Sequence, residues 1–109
     1  CQSGVWKSPG VGSGLGYGQT WQSVSRVFGV AYQNPTGKPI EVIAWANGYS
    51  TWAYLNYYMS ANGSSWVGRS VTCYDTCNAA FVVPVGHFYS FSRSGAGGGA
   101  TNLSVIELR

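Results

Sequence analysis

Charged residues are scarce in this chain. Asp, Glu, Lys and Arg make up 8% of its 109 residues, against roughly 25% in an average soluble domain. Gly, Ser, Thr, Asn and Tyr must therefore supply most of the solvent-exposed surface, a composition typical of extracellular β-domains and of binding surfaces. The net charge is +3, and no two basic residues are adjacent. They form no stripe of the kind that binds nucleic acid, so no nucleic-acid partner is predicted.

Long apolar runs and helical periodicity are also missing. No apolar run approaches the ~20 residues of a membrane span, so this chain is not expected to insert into a membrane. No segment repeats apolar residues at helical spacing over the ~10 positions that a helix needs. The chain has neither an initiating Met nor a signal peptide. Because it begins CQSG, we expect a mature protein or a fragment cut from a longer one.

Candidate catalytic groups are few. The carboxylates are Glu41, Asp75 and Glu107, and the single histidine is His87. A glycosidase needs two neighbouring carboxylates, and nothing in their spacing brings two of these together. The Gly-rich segment 7–18 lacks the Lys-Ser or Lys-Thr that ends a phosphate-binding loop. We therefore predict a protein that is not an enzyme and needs no cofactor.

The three cysteines are better explained by a disulfide than by a metal. A four-ligand zinc site would need every cysteine together with His87, so no metal site is predicted. We predict a Cys73–Cys77 disulfide, which leaves Cys1 for a partner outside the fragment. The alternative is three reduced thiols in a cytosolic protein, which the low charge and the high Tyr and Trp content disfavour.

The remaining patterns predict one all-β domain, an antiparallel β-sandwich or jelly roll. Residues 1–18 are interpreted as a Gly-rich linker and residues 19–109 as the sandwich. Short apolar runs separated by turn signals predict strands at 24–33, 40–47, in the first arm of a hairpin at 51–66, and at 65–72, 79–83, 87–91 and 101–108.

The hairpin carries the strongest functional signal. Asn62-Gly63 predicts a two-residue turn, which would place Asn56 opposite Arg69 and direct Leu55 and Met59 into the core. The other face would then carry rings at 52, 54 and 58. Neither face is polar, unlike an ordinary sandwich strand that alternates apolar and polar residues.

Two interpretations of this second face remain open. Loops could bury it, or it could meet a partner; a central Arg without a carboxylate favours the second, because burying it is costly. Rings interspersed with Asn and Arg suit sugars, and a subunit interface uses the same residue types. The predicted ligand-binding residues are Trp52, Tyr54, Asn56, Tyr58, Arg69, Tyr74 and Asp75.

Five short motifs, taken together, resemble one family. They are CQSGVW, GQTWQ, NPTGKPI, VPVGHFY and IELR, at 1–6, 18–22, 34–40, 83–89 and 106–109. They resemble the C-terminal receptor-binding domain of PilV-type shufflon adhesins, which are minor pilins at the tip of conjugative type IV pili. Related tips on phage tail fibres share several of these motifs. CQSG-x-W resembles the boundary between the constant pilin region and the switchable segment, which favours the pilus.

The resemblance implies an extracellular protein at a bacterial pilus tip. It implies a homotrimer that recognises lipopolysaccharide or another surface glycan on recipient cells and contacts other pilin subunits through a region preceding this fragment. Recognition is then expected in the segment that varies within the family, roughly 45–78. The alternatives are a phage tail-fibre tip and a structural trimerisation module without glycan binding.

Overall fold

The chain folds into two packed antiparallel sheets without helices among the residues described. The computed structural model describes residues 15–16, 18–48, 52–95 and 99–109. Most of the predicted linker 1–18, including Cys1, lies outside these residues. The eight strands are β1 Trp21–Val24, β2 Tyr32–Gln33, β3 Ile40–Asn47, β4 Ala53–Ser60, β5 Val67–Thr72, β6 Thr76–Val83, β7 Phe88–Gly95 and β8 Thr101–Leu108.

The predicted β-sandwich is confirmed. The first sheet has the order β1-β8-β3-β6 and is called sheet A here; the second, sheet B, has the order β2-β7-β4-β5. Strand β3 shows how the sequence builds a layer. Every second residue, from Ile40 to Ala46, is buried, and the residues between them are more exposed, as expected for a half-buried strand. Aromatic rings fill the space between the sheets, with Tyr57 stacked on Phe81 at 5.1 Å and Phe91 beside them.

The single strand predicted at 24–33 is wrong. The chain leaves sheet A after Val24 and joins sheet B at Tyr32, so this segment crosses from one sheet to the other. Gly29 lies in a turn within the crossing with a φ of 82°, a conformation that glycine adopts at little cost.

The predicted two-residue hairpin turn is also wrong. Six residues, 61–66, separate β4 from β5. Asn62 widens the turn, because its Oδ1 accepts hydrogen bonds from the backbone N–H groups of Ser64 and Ser65 at 2.8 and 2.9 Å. The pairing of β4 with β5 is therefore shifted by one residue from the prediction, and every side chain of β5 faces the opposite way.

The open sides of the sandwich are closed by different means. Near the side formed by β1 and β2, the buried carboxylate of Glu107 on β8 accepts hydrogen bonds from the Tyr89 hydroxyl on β7, from Arg26 at 3.2 Å and from Arg109 at 2.7 Å. Between β5 and β6, a disulfide joins Cys73 to Cys77, as predicted. Both sulfurs lie in the buried core.

Residues from four of the shared motifs meet at one end of the sandwich, called the motif end here, where two side chains bond to backbone carbonyls. Nε2 of Gln19 donates to the carbonyls of Pro39 and Leu108 at 2.8 and 3.3 Å. Nδ2 of the buried Asn34 donates to the carbonyls of Lys38 and Val83 at 2.7 and 3.0 Å. These motifs therefore form a framework, and the disulfide loop lies at the opposite end of the strands.

Candidate functional site

The candidate site is the outer surface of sheet B, which we call the aromatic face. Alternate residues of β4 point away from the core, together with their neighbours on β5 and β7. Its members are Trp52 just before β4, Tyr54, Asn56 and Tyr58 on β4, Gly68, Ser70 and Thr72 on β5, and Ser90, Ser92 and Ser94 on β7. Leu55 faces the opposite way and is fully buried, as predicted, whereas Met59 is only half-buried.

Two groups of rings stand on the aromatic face. Trp52 is 62% exposed, and its ring meets the ring of Tyr54 edge to face, with centroids 5.8 Å apart. Tyr58 lies four residues after Tyr54 along β4, a separation of roughly 13 Å in an extended strand. The face therefore offers two separate apolar surfaces on which a flat ligand can stack.

Gly68 makes room for the second ring. A Cβ at this position would lie 2.6 Å from both Cδ1 and Cε1 of Tyr58, far inside ordinary van der Waals contact. The Tyr58 ring therefore packs across the backbone of β5 and is half-buried there. Only a residue without a side chain permits this position of the ring.

Polar groups between the ring surfaces form one connected network around Asn56. Its Nδ2 donates to the hydroxyls of Ser92 and Ser94, each at 3.2 Å, and its Oδ1 accepts from Ser70 at 2.6 Å. The Ser92 hydroxyl donates in turn to the hydroxyl of Tyr58 at 3.1 Å. Asn56 is only 9% exposed, and packing together with these bonds fixes its orientation.

The predicted pairing of Asn56 with Arg69 is wrong. Because the register is shifted, Ser70 lies opposite Asn56, and Arg69 lies opposite Tyr57 on the other side of the sheet. The side chain of Arg69 is exposed on the edge strand β5. It therefore does not share a surface with the three candidate rings.

Tyr74 and Asp75 lie in the disulfide loop, at the end of the sandwich where β4 begins. Both are exposed, Tyr74 by 58%. The backbone holds this loop in place, because Cys73 N–H donates to Ala53 at 2.7 Å and Gly48 N–H donates to Asp75 at 2.8 Å. The loop thus lies beside the Trp52 end of the aromatic face.

A second apolar surface lies on the outside of sheet A. Trp21, Trp45 and Val82 are 48%, 41% and 46% exposed there. An open groove of about 330 Å³ runs beside Trp45 at the point where β1 ends, with the hydroxyls of Ser23 and Ser104 at its wall. This surface was not predicted from the sequence, although the period-two pattern of β3 places Trp45 on the same face as Ile43.

The three carboxylates of the chain lie apart from one another. Glu41 and Glu107 point to opposite faces of sheet A, and Asp75 lies in the disulfide loop. Burial and the hydrogen bond to Glu107 raise the pKa of Tyr89 well above its ordinary value. No group of three or more His, Cys, Asp or Glu residues in the described part of the chain is placed to hold a metal ion.

The described residues also contain no helix that is long and apolar enough to cross a membrane.

Comparisons with known proteins find no relatives for this chain. No protein-family model matches it, no curated protein matches it, and no solved structure matches it.

Proposed function

We propose that this chain is a non-catalytic adhesin domain at the tip of a conjugative type IV pilus. In this proposal it recognises lipopolysaccharide glycans on recipient bacteria, acts outside the cell as a homotrimer, and thereby selects mating partners. The identity of the particle rests on the motif resemblance. The observation that carries the binding function is the aromatic face, where exposed rings flank a network of amide and hydroxyl groups.

Sugars suit such a surface for two physical reasons. The apolar face of a pyranose ring stacks on an aromatic ring, and its hydroxyl groups exchange hydrogen bonds with fixed polar side chains. Tyr and Trp contribute large contact areas while losing little conformational entropy. Trp52 contacts the ring of Tyr54 and is still 62% exposed, so much of its own ring is accessible to a ligand.

The two ends of the sandwich support the same proposal. The shared motifs meet at the motif end, where the chain enters the sandwich at Gln19. Trp52, Tyr74 and Asp75 lie at the opposite end. An attachment to the pilus through the motif end would direct the disulfide loop and the first ring surface toward a recipient cell.

Replacing single rings tests this function. Trp52→Ala and Tyr58→Ala are expected to weaken binding to recipient lipopolysaccharide by about 5- to 150-fold each, because an anchor residue contributes ~1–3 kcal/mol. Trp66→Ala is the matched control, since it removes an exposed Trp from the turn between β4 and β5. Unchanged binding in both β4 variants, with intact folding and an unchanged sedimentation coefficient, would place the site elsewhere. Absence of binding by the unaltered chain to every recipient lipopolysaccharide would contradict the function itself.

The second candidate function is a structural trimerisation module. The apolar outer surface of sheet A favours it, because Trp21, Trp45 and Val82 are exposed there and interfaces are enriched in aromatic residues and poor in charge. Sedimentation velocity separates the candidates. A stable monomer would exclude the module, whereas a trimer that dissociates on Trp45→Ser substitution and binds no glycan would favour it.

A further inference from the structure

The aromatic face carries no charged side chain among the described residues. Arg69 and Arg93 belong to the opposite side of sheet B by register, and Lys38 lies in the loop before β3. Asp75 is confined to the disulfide loop. An uncharged ligand can bind such a surface without an oppositely charged side chain. A phosphate or carboxylate would lose its hydration there and find no cation to compensate for the loss.

The hydrogen bonds on this face have a fixed direction. Asn56 donates twice, to Ser92 and Ser94, and accepts from Ser70. The Ser92 proton is used on the Tyr58 oxygen. The protons of Tyr58 and Ser94 are therefore free to donate outward, and the Ser70 oxygen is free to accept.

We infer that this face takes a neutral oligosaccharide segment, and that Asn56 is the residue that sets its specificity. The inference rests on the proposed function and names the ligand class for the same site. Asn56 is a positioning residue: it is nearly buried and orients the hydroxyls that meet the sugar. A sugar hydroxyl both donates and accepts, so it matches alternating donors and acceptors better than any anion does.

Asn56→Asp tests the direction of the network without changing its shape. A carboxylate would accept from Ser70, Ser92 and Ser94 together, which takes the Ser94 proton away from the ligand and the Ser92 proton away from Tyr58. The dissociation constant for a bound neutral oligosaccharide is expected to rise by about tenfold or more, the equivalent of one or two lost hydrogen bonds. A surface that acted by ring stacking alone would bind equally well after this substitution.

Two further variants keep the test informative if Asn56→Asp is unstable. Ser94→Ala removes an exposed hydroxyl with a free proton and is expected to weaken binding about three- to tenfold. Arg69→Gln removes the cationic side chain of β5. We expect the dissociation constant for the neutral oligosaccharide to stay within about twofold, because the Arg69 side chain does not lie on the aromatic face.

The probe is an array of bacterial oligosaccharides grouped as neutral, uronate-bearing and phosphorylated, with lipopolysaccharide-derived and capsule-derived members in each group. We expect binding within the neutral group, with dissociation constants that stay within about twofold between roughly 0.01 M and 1 M salt, because screening acts on charges. The array members that bind identify the source. Binding that depends on salt, prefers phosphorylated members and is lost in Arg69→Gln would overturn this inference while leaving the adhesin function standing. No binding by the unaltered chain to any group would overturn both.

Discussion

Gly68→Ala gives the sharpest single test of the aromatic face. The added methyl group would lie 2.6 Å from two carbons of the Tyr58 ring, about 1 Å inside normal contact. The ring must then rotate off β5, losing its packing there and the 3.1 Å hydrogen bond from Ser92. Overpacking of this kind costs about 1–3 kcal/mol in the free energy of unfolding, which corresponds to a fall of roughly 4–20 °C in Tm for a domain of this size.

Thermal unfolding of Gly68→Ala beside Gly37→Ala measures this cost. Gly37 has no atom within 4 Å of a built Cβ and no positive φ, so alanine there should change Tm little. In proton NMR spectra, the Gly68 Hα signals of the unaltered chain should carry the shift that an overlying aromatic ring produces. A Gly68→Ala protein as stable as the Gly37→Ala control, with unshifted Hα signals before the substitution, would refute the placement of Tyr58 across β5.

Two predictions concern the closures at the sides of the sandwich. The pKa of Tyr89 is raised by burial and by its bond to Glu107, so above about pH 10 the unfolded chain releases this proton first and the free energy of unfolding falls by up to about 1.4 kcal/mol per pH unit. Urea unfolding of Tyr89→Phe should show lower stability at neutral pH but a weaker decline above pH 10, and equal alkaline slopes in both proteins would contradict this. The paired substitution Cys73→Ser with Cys77→Ser should lower the free energy of unfolding by about 2 kcal/mol, since the four-residue separation closes a small loop. Urea unfolding with and without reductant measures it, and a loss above about 5 kcal/mol would mean that the thiols stabilise the core in another way.

The sequence predicted strands best where one face of a strand is buried throughout. The predicted strands 40–47 and 101–108 have the observed bounds, because alternation and β-branched residues agree there. The segment 24–33 looked equally apolar, yet it crosses between the sheets. Periodicity alone does not distinguish the two cases, since the crossing also buries Val24 and Phe28 against the core.

The register of the hairpin depends on side-chain hydrogen bonds in the turn. The prediction of a two-residue turn from Asn62-Gly63 did not consider them. The Asn62 carboxamide and the Ser60 hydroxyl bond to backbone N–H groups of the turn, and this local bonding competes with a tight turn. The observed register also turns Val71 toward the core, whereas the predicted one would have turned Ser70 inward. Burial of the more apolar residues favours the pairing that is observed.

The candidate rings were predictable from the sequence, but the polar network was not. Trp52, Tyr54 and Tyr58 alternate along one strand, which places them on one face in either register. The serines of β7 come from a strand more than thirty residues away in sequence, so their convergence on Asn56 depends on tertiary pairing. The sequence nonetheless contained a signal, because Ser90 and Ser92 alternate with the aromatic residues Tyr89 and Phe91.

The position of β8 between β1 and β3 has a consequence for folding. During synthesis β3 can pair with β6 on one side, but its other edge stays open until residues 101–108 have left the ribosome. An uncovered strand of sequence IEVIAWAN is a template for pairing with other chains. Closing sheet A by joining its first strand to its last is also slow, on the order of milliseconds to seconds for such long-range topologies. Nascent or truncated chains that lack β8 should therefore aggregate through the open edge of β3.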